Sequence, residues 1–275
     1  MNSDNHASPL PTSSAWAPLS KTRARLIASL SQTKRRRKEG LFTAEGHKSV
    51  ADLLRPGSAY SLYCLVATPE YLERHAASLP AALSPAQCAL ATEAQMREIS
   101  ALATPSDVMA VMHMPEAPNQ CDALAEPLSP ALYLLLDGVQ DPGNLGTIIR
   151  TCHWFGIDRI FASRDTVDIY NPKTVQSTMG SLGAVRVEYV DLPPLADRNQ
   201  HLPLVGLQLE GNNLFTTPLP QSAMICMGSE GNGLSPEMQH RLTLSLTIPP
   251  ASAADHPESL NVAIATAITV AQFKH

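Results

Sequence analysis

The order of apolar and polar positions divides the chain near its middle. From Ser20 to Leu54 the spacing is helical: Leu26, Ile27 and Leu30 recur on one face, a short apolar piece Leu41-Phe42 follows, and Glu45-Gly46 opens a second helix through Val50, Leu53 and Leu54. Tyr60–Val66 predicts a strand by its aromatic and β-branched content. Helices over Pro69–His75 and Thr92–Ser100 and a strand over Val108–His113 complete a compact α/β unit, residues 20–114. Residues 1–19, polar and rich in Ser and Pro, predict a disordered tail. Residues 115–130 carry Pro115, Pro118, Pro127 and Pro130 with little periodicity, which predicts a linker.

Beyond the linker, residues 131–275 change texture. Leu132–Leu136 is a continuous apolar run, as expected of a strand covered on both faces of a parallel sheet. Further strands are predicted at Ile157–Ala162, Val185–Val190, Leu202–Leu207, Met224–Met227 and Leu244–Ile248. Helices are predicted at Leu145–Phe155, Pro172–Met179, Pro236–Leu242 and Leu260–Phe273. Strand–helix alternation of this kind defines an open α/β sheet.

Charge changes the picture of the first unit. The chain of 275 residues has a formal net charge of −5, yet residues 1–50 hold nine basic residues against three acidic ones. Lys34, Arg35, Arg36, Arg37 and Lys38 are consecutive. Such a run is usually a solvated helix face; in an otherwise acidic protein it points to phosphate contacts. The five cysteines form no C-x-x-C pair, which fits a reducing compartment and predicts a cytoplasmic protein. Leu260–Phe273, the most apolar stretch, is too short and too interrupted to predict a membrane span. The nine histidines have no metal-ligand spacing, so no metal is assigned.

Three stretches of the second half carry candidate chemistry. Asp137–Arg150 leaves a buried strand, turns through Pro142-Gly143 and enters a helix with Asn144 as its expected N-cap. Arg150 lies off the apolar stripe of that helix; alone it reads as a solvated surface charge. Met227–Gly233 places three glycines and Glu230 directly after a strand, where backbone N–H groups approach a ligand closely or merely form a turn. Its glycine spacing is not that of a dinucleotide fingerprint, and without a Lys or Thr it does not suit phosphate handling. Glu258–Val262 enters the last helix, with Ser259 expected as its cap and Asn261 left for another task.

In this order the three stretches resemble the motifs of SpoU-type RNA ribose 2′-O-methyltransferases of the SPOUT superfamily. The resemblance runs through Asn144, Gly146 and Arg150, Phe155–Asp158, Asn171–Lys173, Ser177 and Gly180, Gly228, Glu230 and Gly233, and Glu258–Val262. Upstream, Phe42–Gly46 behind the basic helix resembles a small α/β RNA-binding domain related to ribosomal proteins. The chain departs from the family at Pro250, where a methionine is usual, and at the longer, glycine-free loop Ala251–Pro257.

The resemblance implies a deep trefoil knot in the parallel-sheet domain, with S-adenosylmethionine held by the loops that contain Leu207, Gly228, Gly233, Ile248 and Leu260. It implies that Arg150 is the central catalytic group, in the family proposal the base that takes the ribose proton; as an arginine normally stays protonated, gripping the adjacent RNA phosphate and stabilising an alkoxide is the alternative its chemistry favours, while Asn144, Glu230, Ser259 and Asn261 orient it, the ribose and the loops. The implied substrate is structured RNA, ribosomal RNA before transfer RNA, and the implied assembly a homodimer. A non-catalytic RNA-binding or assembly protein that keeps the fold is the alternative.

Overall fold

The computed structural model describes residues 16–80, 83–115, 126–252 and 257–275. The tail before residue 16, most of the expected linker, Cys121 and residues 253–256 of the Ala251–Pro257 loop lie outside the described residues. Two compact units form: Met1–Pro115 with Tyr170–Gly183, and Glu116–Ile169 with Ala184–His275.

The first unit contains β1 (Ala17–Pro18), α1 (Lys21–Ser29), α2 (Thr33–Glu39), β2 (Leu41–Glu45), α3 (His47–Leu53), β3 (Leu62–Ala67), α4 (Pro69–His75), β4 (Cys88–Leu90), α5 (Glu93–Ile99) and β5 (Val108–His113). The sheet order is β1-β4-β3-β5-β2. Side chains alternate across it, so Leu41, Cys64, Val66, Ala89, Met109 and Val111 share one core with Ala24 and Ile27 of α1, with Leu30 at its C-terminal cap, and with Met96 and Ile99 of α5. Helix starts follow local chemistry: Thr92 and Gln95 form a capping box on α5, and Thr68 caps α4 ahead of Pro69.

Leu41-Phe42 belongs to a true edge strand that pairs antiparallel with β5, not to a break between helices. Phe42 is fully buried because Tyr170 lies on it, ring centroids 4.7 Å apart. Tyr170 starts a segment of the later sequence that completes this unit. Within that segment Asn171 caps the short helix Pro172–Ser177 by accepting from the Lys173 N–H. Gly180 adopts φ +95 where any Cβ would strike the Asp52 carboxylate, so both conformation and space demand glycine.

The second unit holds β6 (Leu132–Asp137), α6 (Pro142–Trp154), β7 (Arg159–Ala162), then, after the short helix just described (α7), β8 (Arg186–Tyr189), α8 (Leu192–Arg198), β9 (Leu204–Asn213), β10 (Ala223–Gly228), α9 (Pro236–Gln239), β11 (Leu244–Thr247) and α10 (Val262–Lys274). All five pairings in the order β11-β9-β10-β6-β7-β8 are parallel. One face packs Tyr133, Leu135, Phe161, Met224 and Cys226 against Leu192, Leu195 and Ala196 of α8 and Met238 of α9. The opposite residues Leu134, Leu136, Ile160 and Ile225 are also inaccessible to solvent, which explains the unbroken apolar runs.

β9 is longer than its apolar core predicts. Its pairing with β11 shifts between Ser245 and Leu246, so Leu244 and Ser245 meet Val205 and Gly206 whereas Leu246 and Thr247 meet Asn212 and Asn213. The extra length bulges outward and leaves Leu209 72% exposed. Such a shift has no local sequence signature because the partner strand defines it.

Candidate active site

The register of β6 on β10 sets the site. Asp137 pairs with Gly228, so the loops that follow the two strands leave the sheet at one level. At the end of β6 the Asp137 carboxylate accepts from the Ser235 N–H at 2.6 Å, tying the second loop to the first strand. Gly138 turns at φ +80, and the chain enters α6 with Pro142 at its first position.

The cap of α6 is Asp141, whose Oδ1 accepts from the Asn144 N–H at 2.8 Å. This corrects the sequence expectation for Asn144. The physical reason is the fixed φ of Pro142, which suits the first helical turn and moves the helix start three residues upstream. Asn144 therefore lies within the first turn with its side chain available for other contacts.

That side chain joins the three loops. Asn144 Nδ2 donates to Glu230 Oε1 at 2.7 Å, and Asn144 Oδ1 accepts from Asn261 Nδ2 at 2.9 Å. The amide thus spends its donor on the second stretch and its acceptor on the third. Asn261, not Ser259, caps α10: its Oδ1 accepts from the Ala263 and Ile264 N–H groups at 2.9 and 3.3 Å. One asparagine does both jobs because its two polar atoms diverge. Ser259 is exposed and makes no hydrogen bond among the described residues.

Glu230 stands in a tight turn. Ser229 and Gly233 exchange backbone hydrogen bonds at 2.9 and 3.1 Å, and Gly233 adopts φ +66. A Cβ on Gly228 would collide with the Gly233–Leu234 backbone, which crosses directly over it. This glycine is required by close approach of two chain segments rather than by its own dihedral angles.

The positions expected to hold a cofactor fall on neighbouring strands. Leu207 in β9 and Ile248 just after β11 are half-buried in one apolar cluster with Ile268 and Phe273 of α10, and Gly228 ends the adjacent β10. Leu260 is 48% exposed, two residues before α10. A side-chain-free crossing, two apolar side chains and exposed loop backbone suit S-adenosylmethionine, whose adenine needs flat apolar walls and backbone hydrogen-bonding groups. The residues present fit the group.

Arg150 stands apart from this chain of carboxamides. It is exposed, six residues beyond Asn144 in α6, hence about 9 Å further along the axis and roughly 120° around it by helix geometry. It has no hydrogen bond or ion pair among the described residues. The site thus contains an interlocked polar group and, separately, an outward cation.

Neither nearby cysteine serves as a thiolate. Burial pushes the Cys152 thiol up to about 12 and raises Cys226 well above its ordinary range, the Asp137 charge adding to the latter. Among the described residues no cluster of His, Cys, Asp and Glu is arranged to hold a metal, and no helix is long and apolar enough to cross a membrane.

In the first unit the basic run occupies α2, and one member departs from expectation. Arg36 is fully buried, donating from Nη1 to the Leu30 and Ser31 carbonyl oxygens and from Nη2 to Thr33 Oγ1, each at 2.9 Å. It satisfies the carbonyls at the end of α1 and is closed to phosphate. Lys34, Arg35, Arg37 and Lys38 remain exposed, Arg35 with Glu39 at 3.8 Å.

Sequence reasoning missed Asp137 and Asp141 as organisers of the site. Asp141 had a signal, an Asp immediately before Pro at a helix start. Asp137 had none, since its partner lies 98 residues away.

With the geometry established, comparison with known proteins defines the class. Residues 131–271 match the SpoU rRNA Methylase family, and residues 21–110 match the MRM3-like substrate binding domain. The chain belongs to the SpoU rRNA methylase family. It is 32% identical over 243 residues to the 23S rRNA (guanosine(2553)-2′-O)-methyltransferase RlmP of Bacillus subtilis, covering 86% of this chain and 90% of that one. Among solved structures, one from Porphyromonas gingivalis, assigned to the TrmH family of RNA methyltransferases, shares 37% identity with a TM-score of 0.79, covering 94% of this chain and 99% of its own. The AdoMet-bound rRNA methyltransferase of Sinorhizobium meliloti shares 28% identity with a TM-score of 0.76, covering 94% and 95%.

The double use of Asn261 predicts a separable outcome. Asn261→Asp keeps a carboxyl oxygen that caps α10 but replaces the amide donor to Asn144 by an acceptor. Global stability should change by less than about 1 kcal/mol, while amide hydrogen exchange in Ser229–Gly233 accelerates. Unchanged exchange there would refute the coupling.

Proposed function

We propose that the protein transfers a methyl group from S-adenosylmethionine to a ribose 2′-hydroxyl of ribosomal RNA. The observation that carries the reading is the linkage of Glu230, Asn144 and Asn261 across three loops at the cofactor end of the sheet. When bound, S-adenosylmethionine supplies an electrophilic methyl group on a sulfonium. The remaining requirements fall to the protein: in-line placement of a weakly nucleophilic hydroxyl and stabilisation of its oxygen as the proton leaves.

Leu207, Ile248 and Leu260 would wall the cofactor, and the turn Gly228–Gly233 would present backbone groups to it. Arg150, exposed on α6, meets the RNA: its guanidinium grips a phosphate beside the target ribose and stabilises developing charge on the 2′-oxygen. As guanidinium is protonated at neutral pH, an electrostatic role suits it better than that of a base. Asn144, held on both sides, keeps the second and third loops in register during this step, with Ser259 exposed beside Leu260 to meet the ribose. The knotted chain path of the family is part of the proposal; membership of the SpoU rRNA methylase family supports it.

The first unit binds the RNA through Lys34, Arg35, Arg37 and Lys38. A homodimer and a cytoplasmic location complete the reading. The dimer is supported by Ile264, 52% exposed in the first turn of α10. The location is supported by four buried free cysteines, Cys64, Cys88, Cys152 and Cys226.

Arg150→Ala is the primary test: methyl transfer to ribosomal RNA should fall by at least a hundredfold while calorimetric affinity for S-adenosylmethionine stays within about twofold. Residual activity near that of the parent would remove Arg150 from the reaction. Exchanging the four exposed cations of α2 for glutamine should flatten the dependence of RNA affinity on salt without loss of stability. Arg36→Ala should instead lower unfolding free energy by about 2–4 kcal/mol; equal behaviour of all five positions contradicts the assignment. Ile264→Asp should give a monomer in sedimentation, and an unchanged mass places the interface elsewhere.

A further inference from the structure

At one end of the first unit three rings are packed on one another. Tyr71 and His75 lie four residues apart in α4 and so share one face of it. His47, the first residue of α3, is laid on that face. Its Nδ1 is 2.8 Å from the Tyr71 hydroxyl, and its ring centroid is 4.4 Å from that of His75, the planes inclined by 30°. The ring of His75 is in turn 4.9 Å from that of Tyr71. Tyr71 is fully buried and anchors the group, whereas His47 is exposed. The imidazole is thus oriented from one side, and no further ring among the described residues covers its outer face.

The backbone that carries His47 is fixed as well. Gly46 turns at φ +90, a conformation that favours glycine, and delivers His47 to the start of α3. Glu45, buried at the end of β2, accepts from Ser100 Oγ at 2.7 Å and from the Ala101 N–H at 3.2 Å, which ties down the chain after α5. Lys48 follows His47, exposed and without an ion pair among the described residues. Among the described residues of 16–115 no large hydrophobic side chain is exposed.

We propose that the outer face of His47 is a stacking platform for an unpaired nucleobase of the substrate RNA, with Lys48 meeting the adjoining phosphate. This assignment rests on the RNA methyltransferase reading given above and gives the first unit a contact besides α2. Imidazole is among the rings on which unstacked RNA bases lie, and a π-face beside a cation binds them with little regard to sequence. Consecutive residues diverge by about 100° around a helix, so the cation flanks the platform and does not lie on it. His75 behind the ring and the Tyr71 hydroxyl at its edge hold it in one orientation before RNA arrives, which lowers the entropy lost on stacking. A protein partner would need a contiguous apolar patch, and this surface has none.

The test uses the full chain with isotope-labelled histidines, nine in number, His47 being assigned by the signal that His47→Gln removes. The probes are an oligoadenylate of about twelve nucleotides and an abasic oligomer of the same length. Oligoadenylate should move the ring-proton resonances of His47 upfield, as the ring current of a stacked base requires, whereas the abasic oligomer leaves them in place. His47→Ala should weaken oligoadenylate affinity about tenfold and leave abasic affinity unchanged, with His47→Phe recovering most of the loss. Lys48→Gln should lower the salt dependence of both oligomers by about one phosphate contact.

Ring resonances indifferent to oligoadenylate, or equal affinity of parent and His47→Ala, overturn the proposal. So do resonances that follow protein concentration alone, because a second copy of the chain then covers the ring. An equal loss for both oligomers contradicts stacking. None of these readouts involves methyl transfer, so a chain that stacks bases on His47 yet fails to methylate refutes the activity and spares the platform. A chain that methylates with His47 indifferent to RNA does the reverse.

Discussion

A single carboxamide, that of Asn144, is committed in two directions, and the arrangement of the second unit follows from that commitment. An amide side chain offers separate donors and acceptors, so it orders two partners only if each presents the complementary atom. Glu230 presents an acceptor and Asn261 a donor. Exchange of either partner for its opposite polarity leaves like atoms facing each other. The residues concerned are separated by 86 and 117 positions in the chain.

Sheet geometry makes the link possible. Parallel pairing of β6 with β10 puts Asp137 beside Gly228, and every residue in the following loops inherits that level. The crossing of the Gly233–Leu234 backbone over Gly228 then brings the turn close enough for Glu230 to reach Asn144. Shape and polarity act in sequence: the missing Cβ permits the approach, and the hydrogen bonds select one arrangement of the loops that approach.

Much of this was legible in residues. Leu132–Leu136 announced a buried parallel strand because both faces of the sheet are covered, and Val108–His113 was likewise visible as an unbroken apolar run. The motif positions Asn144, Glu230 and Asn261 were visible, but the division of labour between Ser259 and Asn261 was not, since either side chain has the chemistry of a cap. Arg36 could not be told from its four neighbours. Its burial depends on the carbonyls at the end of α1, and a run of identical charges does not reveal which one turns inward. The strand character of Leu41–Glu45 was hidden for a related reason, as its stability comes from β5 and from Tyr170, far along the sequence.

The passage of Tyr170–Gly183 into the first unit has a consequence for modular exchange. The aromatic trio Phe42, Tyr60 and Tyr170 draws one ring from beyond the start of the second unit, and Arg55 donates to the Gly183 carbonyl. Recombination at the proline-rich junction would therefore transplant a substrate-binding module without one of its own walls. Grafts between relatives would succeed only where donor and recipient agree on both sides of that shared wall, so the two halves are constrained to diverge together.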